Sequence, residues 1–212
     1  MALIFFDFDG VLVDSLEVET KNFSESCYKV GVDVVNTSAD MAKLSEGNFY
    51  QGLQALGVSK SKIDEIMVVY TETKKNPDFH VHAHAPMMDM LNKLTKEYPV
   101  YVITSNVSYT VERVLKENGV EGVREILGAE KEPSKITKIH KIAEQYPGEK
   151  TIFIGDTKGD MVESAEAGID IRVGVTWGWQ KPWVVASGNP DYIFDKFEDA
   201  ISWFEGFMKS AK

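Results

Sequence analysis

Ala2-Leu-Ile-Phe-Phe-Asp7-Phe-Asp9-Gly10-Val-Leu-Val-Asp14-Ser15 is the stretch from which the fold can be read. From Ala2 to Phe8 the residues are apolar apart from Asp7 and rich in Phe, as in a strand buried on both faces, and Gly10 ends the run. Asp7 and Asp9 stand two apart at the end of that strand, so both side chains leave one face and can address one ligand. Side by side in a buried setting, two carboxylates resist joint ionisation unless a cation lies between them or one is protonated. Magnesium suits the first case, because it takes hard oxygen ligands and keeps room for waters and a phosphate oxygen. Read alone, Asp7-Phe-Asp9-Gly10 is equally a pair of solvated turn acids.

Further along, Val100 to Thr104, Thr151 to Ile154 and Ile171 to Thr176 are short, apolar and β-branched, and each ends on Gly, Ser or Asp; Tyr192 to Phe194 adds a short edge strand. Amphipathic stretches at Pro86 to Glu97, Tyr109 to Asn118, Ser134 to Gln145 and Asp160 to Ala167 alternate with them. This alternation predicts an α/β fold with a doubly wound, Rossmann-like parallel sheet and right-handed crossovers. Ligands then bind beyond the carboxyl ends of the strands. From Ser15 to Ala85 helical periodicity continues without a convincing strand, with turn signals at Gly31, Gly47, Gly57 and Asn76-Pro77. The expected organisation is a core of residues 1–14 and 86–212 and a helical cap of residues 15–85 inserted after the first strand. Glu72 to Asp78 reads as a polar return linker.

Three later blocks join the first. Ile103-Thr104-Ser105-Asn106 ends a strand with a hydroxyl and an amide suited to gripping phosphate oxygens, though it also reads as a helix cap. Lys135 opens an amphipathic stretch, where its ammonium can neutralise phosphate and carboxylate, or simply face solvent. Ile154-Gly-Asp156-Thr-Lys-Gly-Asp160 sets two carboxylates four apart where a strand passes to a helix, suited to completing a metal site or to capping.

In this order and at these strand ends, the four blocks resemble the signature motifs of the haloacid dehalogenase superfamily. Asp7-Phe-Asp-Gly-Val-Leu-Val-Asp-Ser15 is similar to the first motif of subfamily I, the branch of phosphoglycolate phosphatases and β-phosphoglucomutases with a helical cap. The resemblance implies a magnesium-dependent phosphatase acting on a small phosphorylated metabolite. It makes Asp7 the covalent nucleophile and Asp9 the acid and then the base, with Thr104, Ser105, Asn106 and Lys135 binding the phosphoryl group. Asp7, the carbonyl of Asp9 and Asp156 would hold the metal, while Asp160 either joins them or orients bound water or Lys135. Lys131-Glu-Pro-Ser-Lys135 offers two lysines; Lys135 is preferred because it opens the helix. Asp9 argues against carbon–halogen chemistry, and nothing singles out Lys21 as a Schiff-base lysine. A sugar phosphomutase shares the same core chemistry. A phosphorylated receiver domain and a non-catalytic binding protein are the rivals from other classes; the long insertion disfavours the first, and the retained Asp7 and Asp9 disfavour the second.

Composition sets outer bounds. With 33 acidic against 23 basic residues the formal charge is -10, which disfavours nucleic acid and anionic membrane as partners. Cys27 is the sole cysteine. The apolar start is too short for a signal peptide or a bilayer span, so a cytoplasmic protein is expected. In the cap, Glu17, Asn22, Glu46, Gly47 and Asn48 are polar candidates for substrate choice, each also readable as solvated. His80, His82 and His84 alternate, so an extended strand would carry them on one face as a chelating set, or else they form a linker. Trp177, Trp179 and Trp183 are expected in a loop, at the mouth of the site or packed under the sheet edge. Ile201, Phe204 and Phe207 have the spacing of a closing helix that faces the core.

Overall fold

The computed structural model describes residues 2–76 and 78–210; Pro77 of the expected turn and Met1 of the apolar start lie outside the described residues. The chain opens with β1 (Ala2–Phe6) and a two-residue strand β2 (Val13–Asp14). Four helices follow: α1 (Leu16–Lys29), α2 (Ser38–Leu44), α3 (Phe49–Ala55) and α4 (Lys60–Thr73). Next come β3 (His82–Ala83), α5 (Ala85–Leu94), β4 (Val100–Ile103), α6 (Ser108–Glu117) and β5 (Glu125–Leu127). The remainder is α7 (Lys135–Ala143), β6 (Lys150–Gly155), α8 (Lys158–Glu166), β7 (Ile171–Val175), α9 (Pro182–Ala186), β8 (Tyr192–Phe194) and α10 (Phe197–Ser210).

Six strands form one sheet in the order β5-β4-β1-β6-β7-β8, and every pairing is parallel. Order reverses about β1, which lies between β4 and β6, so the crevice of a doubly wound sheet falls at the carboxyl ends of these three strands. Alternate residues of β1 serve opposite faces. Ile4 and Phe6 join one core with Met87, Leu91 and Phe204, while Leu3 and Phe5 join another with Ile139, Ile142 and Met161. Phe204 of α10 stacks on Phe6 at 6.1 Å, and Ile201 and Phe207 pack beside it, as their spacing predicts. The insertion α1–α4 has its own core around Phe23, Met41, Leu53, Ile63 and Ile66. No helix among the described residues is long and apolar enough to cross a membrane.

Several expectations need correction. The stretch 15–85 does contain a strand: β3 pairs antiparallel with β2, in the register Val13↔Ala83 and Asp14↔His82. Two-residue ladders carry no readable period, and the same holds for β5 at the sheet edge. The expected polar linker from Glu72 to Asp78 begins inside α4, whose last residues are Glu72 and Thr73, and its Lys74 is fully buried. α9 occupies part of the expected tryptophan loop. The alternating histidines do not assemble: His80 and His82 are exposed, whereas His84 leads into α5 with its ring 5.0 Å from that of Phe197. The tryptophans also part company. Trp177 packs on Phe197 at 4.5 Å, Trp179 reaches the site described below, and Trp183 is 71% exposed.

Candidate active site

The residues just past β1, β4 and β6 converge. Asp7 follows β1, Thr104 follows β4 and Asp156 follows β6, and all three line one cleft between the sheet and the insertion. Asp7 is buried; its Oδ1 accepts the Phe8 N–H at 2.8 Å and its Oδ2 lies 2.9 Å from Lys135 Nζ. Lys135, the first residue of α7, also donates to Asp160 Oδ1 at 2.5 Å. Asp160 is the third residue of α8, and its Oδ2 accepts from both the N–H and the hydroxyl of Thr157 while the Thr157 hydroxyl receives the Asp160 N–H. This reciprocal cap fixes the carboxylate before any ligand arrives.

Asp156 is held differently. Its Oδ2 accepts the Trp179 N–H at 2.6 Å, and its Oδ1 is buried with no hydrogen-bond partner among the described residues. Two glycines make the fit possible: a Cβ on Gly10 would lie 2.0 Å from Asp156 Oδ2, and one on Gly178 2.2 Å from it. Gly10 has in addition a φ of +74°, which other residues rarely adopt.

Half-buried Asp9 accepts from Asn106 Nδ2 at 3.0 and 3.2 Å. Asn106 is not free to turn, because its Oδ1 accepts Lys74 Nζ at 2.7 Å and its own Nδ2 also reaches Glu19 Oε1 at 3.0 Å. Lys74 Nζ lies 2.8 Å from Glu19 Oε1 and 4.1 Å above the Tyr70 ring, whose hydroxyl donates to Glu19. A buried polar chain thus runs from α1 and α4 to Asp9. Thr104 Oγ1 accepts the Asn106 N–H at 3.0 Å, and the Thr104 carbonyl receives Lys138 Nζ at 2.8 Å. Ser105 is exposed at the cleft wall. Lys131 points elsewhere, to Glu125 and the Ile126 carbonyl, so of the two lysines it is Lys135 that lines the cleft.

Every site residue expected from sequence therefore borders this cleft, with Asn106 engaged by its neighbours. Of the cap candidates, Gly47 and Asn48 line it, Glu17 and Glu46 are exposed, and Asn22 is buried behind Tyr70, donating to its carbonyl. Glu19, Lys74 and Lys138 were not anticipated. Each sits on the buried stripe of its helix: Glu19 four before Phe23, Lys74 four after Tyr70, Lys138 four before Ile142. A charged residue at a core position of an amphipathic helix was the available signal.

Asp7, Asp156 and Asp160 offer carboxylate oxygens that all lie within 4.8 Å of one another. That donor set is hard oxygen only, and the orphaned Oδ1 of Asp156 is an acceptor awaiting a partner; both fit a divalent cation of the magnesium type. Burial is the largest cause raising the carboxyls of Asp7, Asp9 and Asp156. Asp156 is lifted well above the carboxylate range, with Asp160 and Asp7 adding to it; Asp7 is raised despite Lys135; and Asp9 is raised to about 6, Glu19 contributing. A carboxyl whose pKa is higher when folded stabilises fully below its unfolded pKa and ceases to do so as pH rises through the folded one. In chelator, this cluster's contribution to Tm is therefore expected to fall from about pH 4 past about pH 6. Added magnesium should raise Tm most above that window. A magnesium effect that is largest at pH 4 would contradict the assignment.

The fold and cleft are those of a capped α/β hydrolase. The chain belongs to the haloacid dehalogenase-like hydrolase family, whose sequence model matches residues 4–173. It is 22% identical over 208 residues to Pyrophosphatase PpaX of Listeria welshimeri, covering 94% of each chain. A haloacid dehalogenase-like hydrolase structure from Streptococcus pneumoniae superposes with a TM-score of 0.77 at 27% identity, over 96% of this chain and 98% of the other. A predicted phosphoglycolate phosphatase from Haemophilus somnus shares the fold with a TM-score of 0.70 at 21% identity, over 96% and 98% of the two chains.

Proposed function

We propose that the protein is a magnesium-dependent phosphatase that hydrolyses a small phosphate monoester through an aspartyl-phosphate on Asp7. The observation that carries this reading is the buried triad of Asp7, Asp156 and Asp160 with Lys135 between two of its members and Asp9 beside it. Asp7, Asp156 and the carbonyl of Asp9 would hold the cation, with Asp160 either joining them or fixing Lys135. When bound, magnesium offsets the carboxylate charge and polarises the phosphoryl oxygens.

A carboxylate oxygen of Asp7 attacks phosphorus as the bond to the leaving oxygen breaks, and Asp9 gives that oxygen its proton. In the second half Asp9 takes a proton from water, the water oxygen attacks phosphorus and the Asp7–phosphorus bond breaks. The products are an alcohol and inorganic phosphate, with Asp7 and Asp9 restored. Burial and the neighbouring Glu19 raise the Asp9 carboxyl, which favours its holding the proton it gives in the first half. Lys135, the Thr104 hydroxyl and Ser105 meet the equatorial oxygens. Asn106 aligns Asp9 at the edge of the phosphoryl site. On this reading residues 1–14 and 86–212 carry the chemistry, and residues 15–85 exclude water and choose the substrate, in a cytoplasmic setting.

Phosphate release from a panel of phosphorylated metabolites, in magnesium and in chelator, tests the proposal. Release is expected in magnesium and not in chelator. Sugar phosphates isomerised without net phosphate release would point instead to a mutase.

A further inference from the structure

Building on the phosphatase reading, we infer that the substrate's leaving group is uncharged and carries a planar ring. The cleft has two unlike walls. One wall is the carboxylate and Lys135 cluster. The other is formed by Met41, Phe49, Tyr50, Met67 and Tyr70 of the insertion, with Trp179 from the core beside them.

Charge decides against an anionic leaving group. Among the described residues lining the cleft, Lys135 is the only cation, and it already faces Asp7 and Asp160. The two nearby lysines are committed: Lys74 is fully buried against Glu19 and Asn106, and Lys138 donates to the Thr104 carbonyl. Glu163, at the same wall and bonded to Asn48, adds negative charge. A carboxylate or second phosphate on the leaving group would be desolvated here with no counter-charge.

The far wall supplies what a ring needs. Phe49 meets Phe23 and Tyr50 edge-on at 5.2 and 6.3 Å, and Tyr70 meets Phe23 edge-on at 5.2 Å, so these rings are already oriented. Trp179 is anchored by its ring N–H to Ser15 Oγ and by its backbone to Asp156. Met41 and Met67 line the same wall, and thioethers adapt to flat surfaces. Fixed aromatic faces favour a planar ring over an aliphatic polyol of similar size.

The test compares benzyl phosphate and a nucleoside 5′-monophosphate with glycerol phosphate, phosphoglycolate and pyrophosphate. The first four leave as alkoxides, so leaving-group strength does not set their order. The ring-bearing esters are expected to exceed glycerol phosphate and phosphoglycolate by about tenfold or more in kcat/KM. Tyr50→Ala should raise KM for benzyl phosphate more than for glycerol phosphate. Fastest release from phosphoglycolate among the alkoxide esters would overturn the inference while leaving the phosphatase intact, and so would parity with glycerol phosphate; pyrophosphate, whose leaving phosphate is intrinsically more reactive, is judged by its binding. Silence with every compound would sink the phosphatase reading alone. Calorimetric binding of the same esters to the Asp7→Asn protein then judges the cleft: tighter binding of the ring-bearing pair upholds the inference, and tighter or equal binding of the others overturns it.

Discussion

Asp7→Asn is expected to lower phosphate release by about 10⁴-fold or more while the protein stays folded. The substitution keeps the shape of the side chain and the acceptor for the Phe8 N–H, but removes the attacking carboxylate and one oxygen of the buried triad. Lys135 keeps Asp160 as its partner. Because burial penalises the charge on Asp7, the amide should leave Tm unchanged or higher in chelator, and should blunt the rise that magnesium gives the parent. Rate assays paired with thermal melts in both conditions measure the two effects. A variant that retained activity within about tenfold would end the covalent mechanism.

The largest stability effect is expected at Lys74→Met. Its ammonium is fully buried and compensates Glu19, so its loss strands a carboxylate among Tyr70, Asn106 and Asp9. Breaking a buried pair from one side costs about 3–5 kcal/mol, which for a chain of this size lowers Tm by roughly 10 °C. Glu19→Gln combined with Lys74→Met removes both charges yet leaves an amide oxygen to accept from Asn106 Nδ2 and an amide N–H to donate to the Tyr70 hydroxyl. The double variant should recover at least about half of the lost stability. Additive losses in the melts would mean that the two residues contribute separately.

The sheet was legible because its strands are buried on both faces, so β1, β4, β6 and β7 appear as apolar runs whose polar ends mark the site. Asp7, Asp9, Thr104, Lys135, Asp156 and Asp160 could be placed together because topology brings the carboxyl ends of neighbouring strands to one crevice. Residues whose position depends on tertiary approach were not legible. Lys74 and Glu19 are far apart in the chain and meet only when α1 packs on α4. Trp179 reaches Asp156 only because Gly178 brings the backbone close, which no periodicity reports. The β2–β3 ladder is too short for any pattern, and its partners are separated by the whole insertion.

That ladder has a consequence for how such a protein diversifies. Both ends of the insertion leave the core side by side, at paired residues Val13 and Ala83, and none of its helices supplies a strand to the six-stranded sheet. Whatever is spliced between those two points joins a sheet that is already complete, so the guest segment can be rewritten without breaking a strand pairing of the host. The exception is the thread from Glu19 and Lys74 to Asp9, which ties one part of the guest to the host and should drift more slowly than the ring-lined wall beside it.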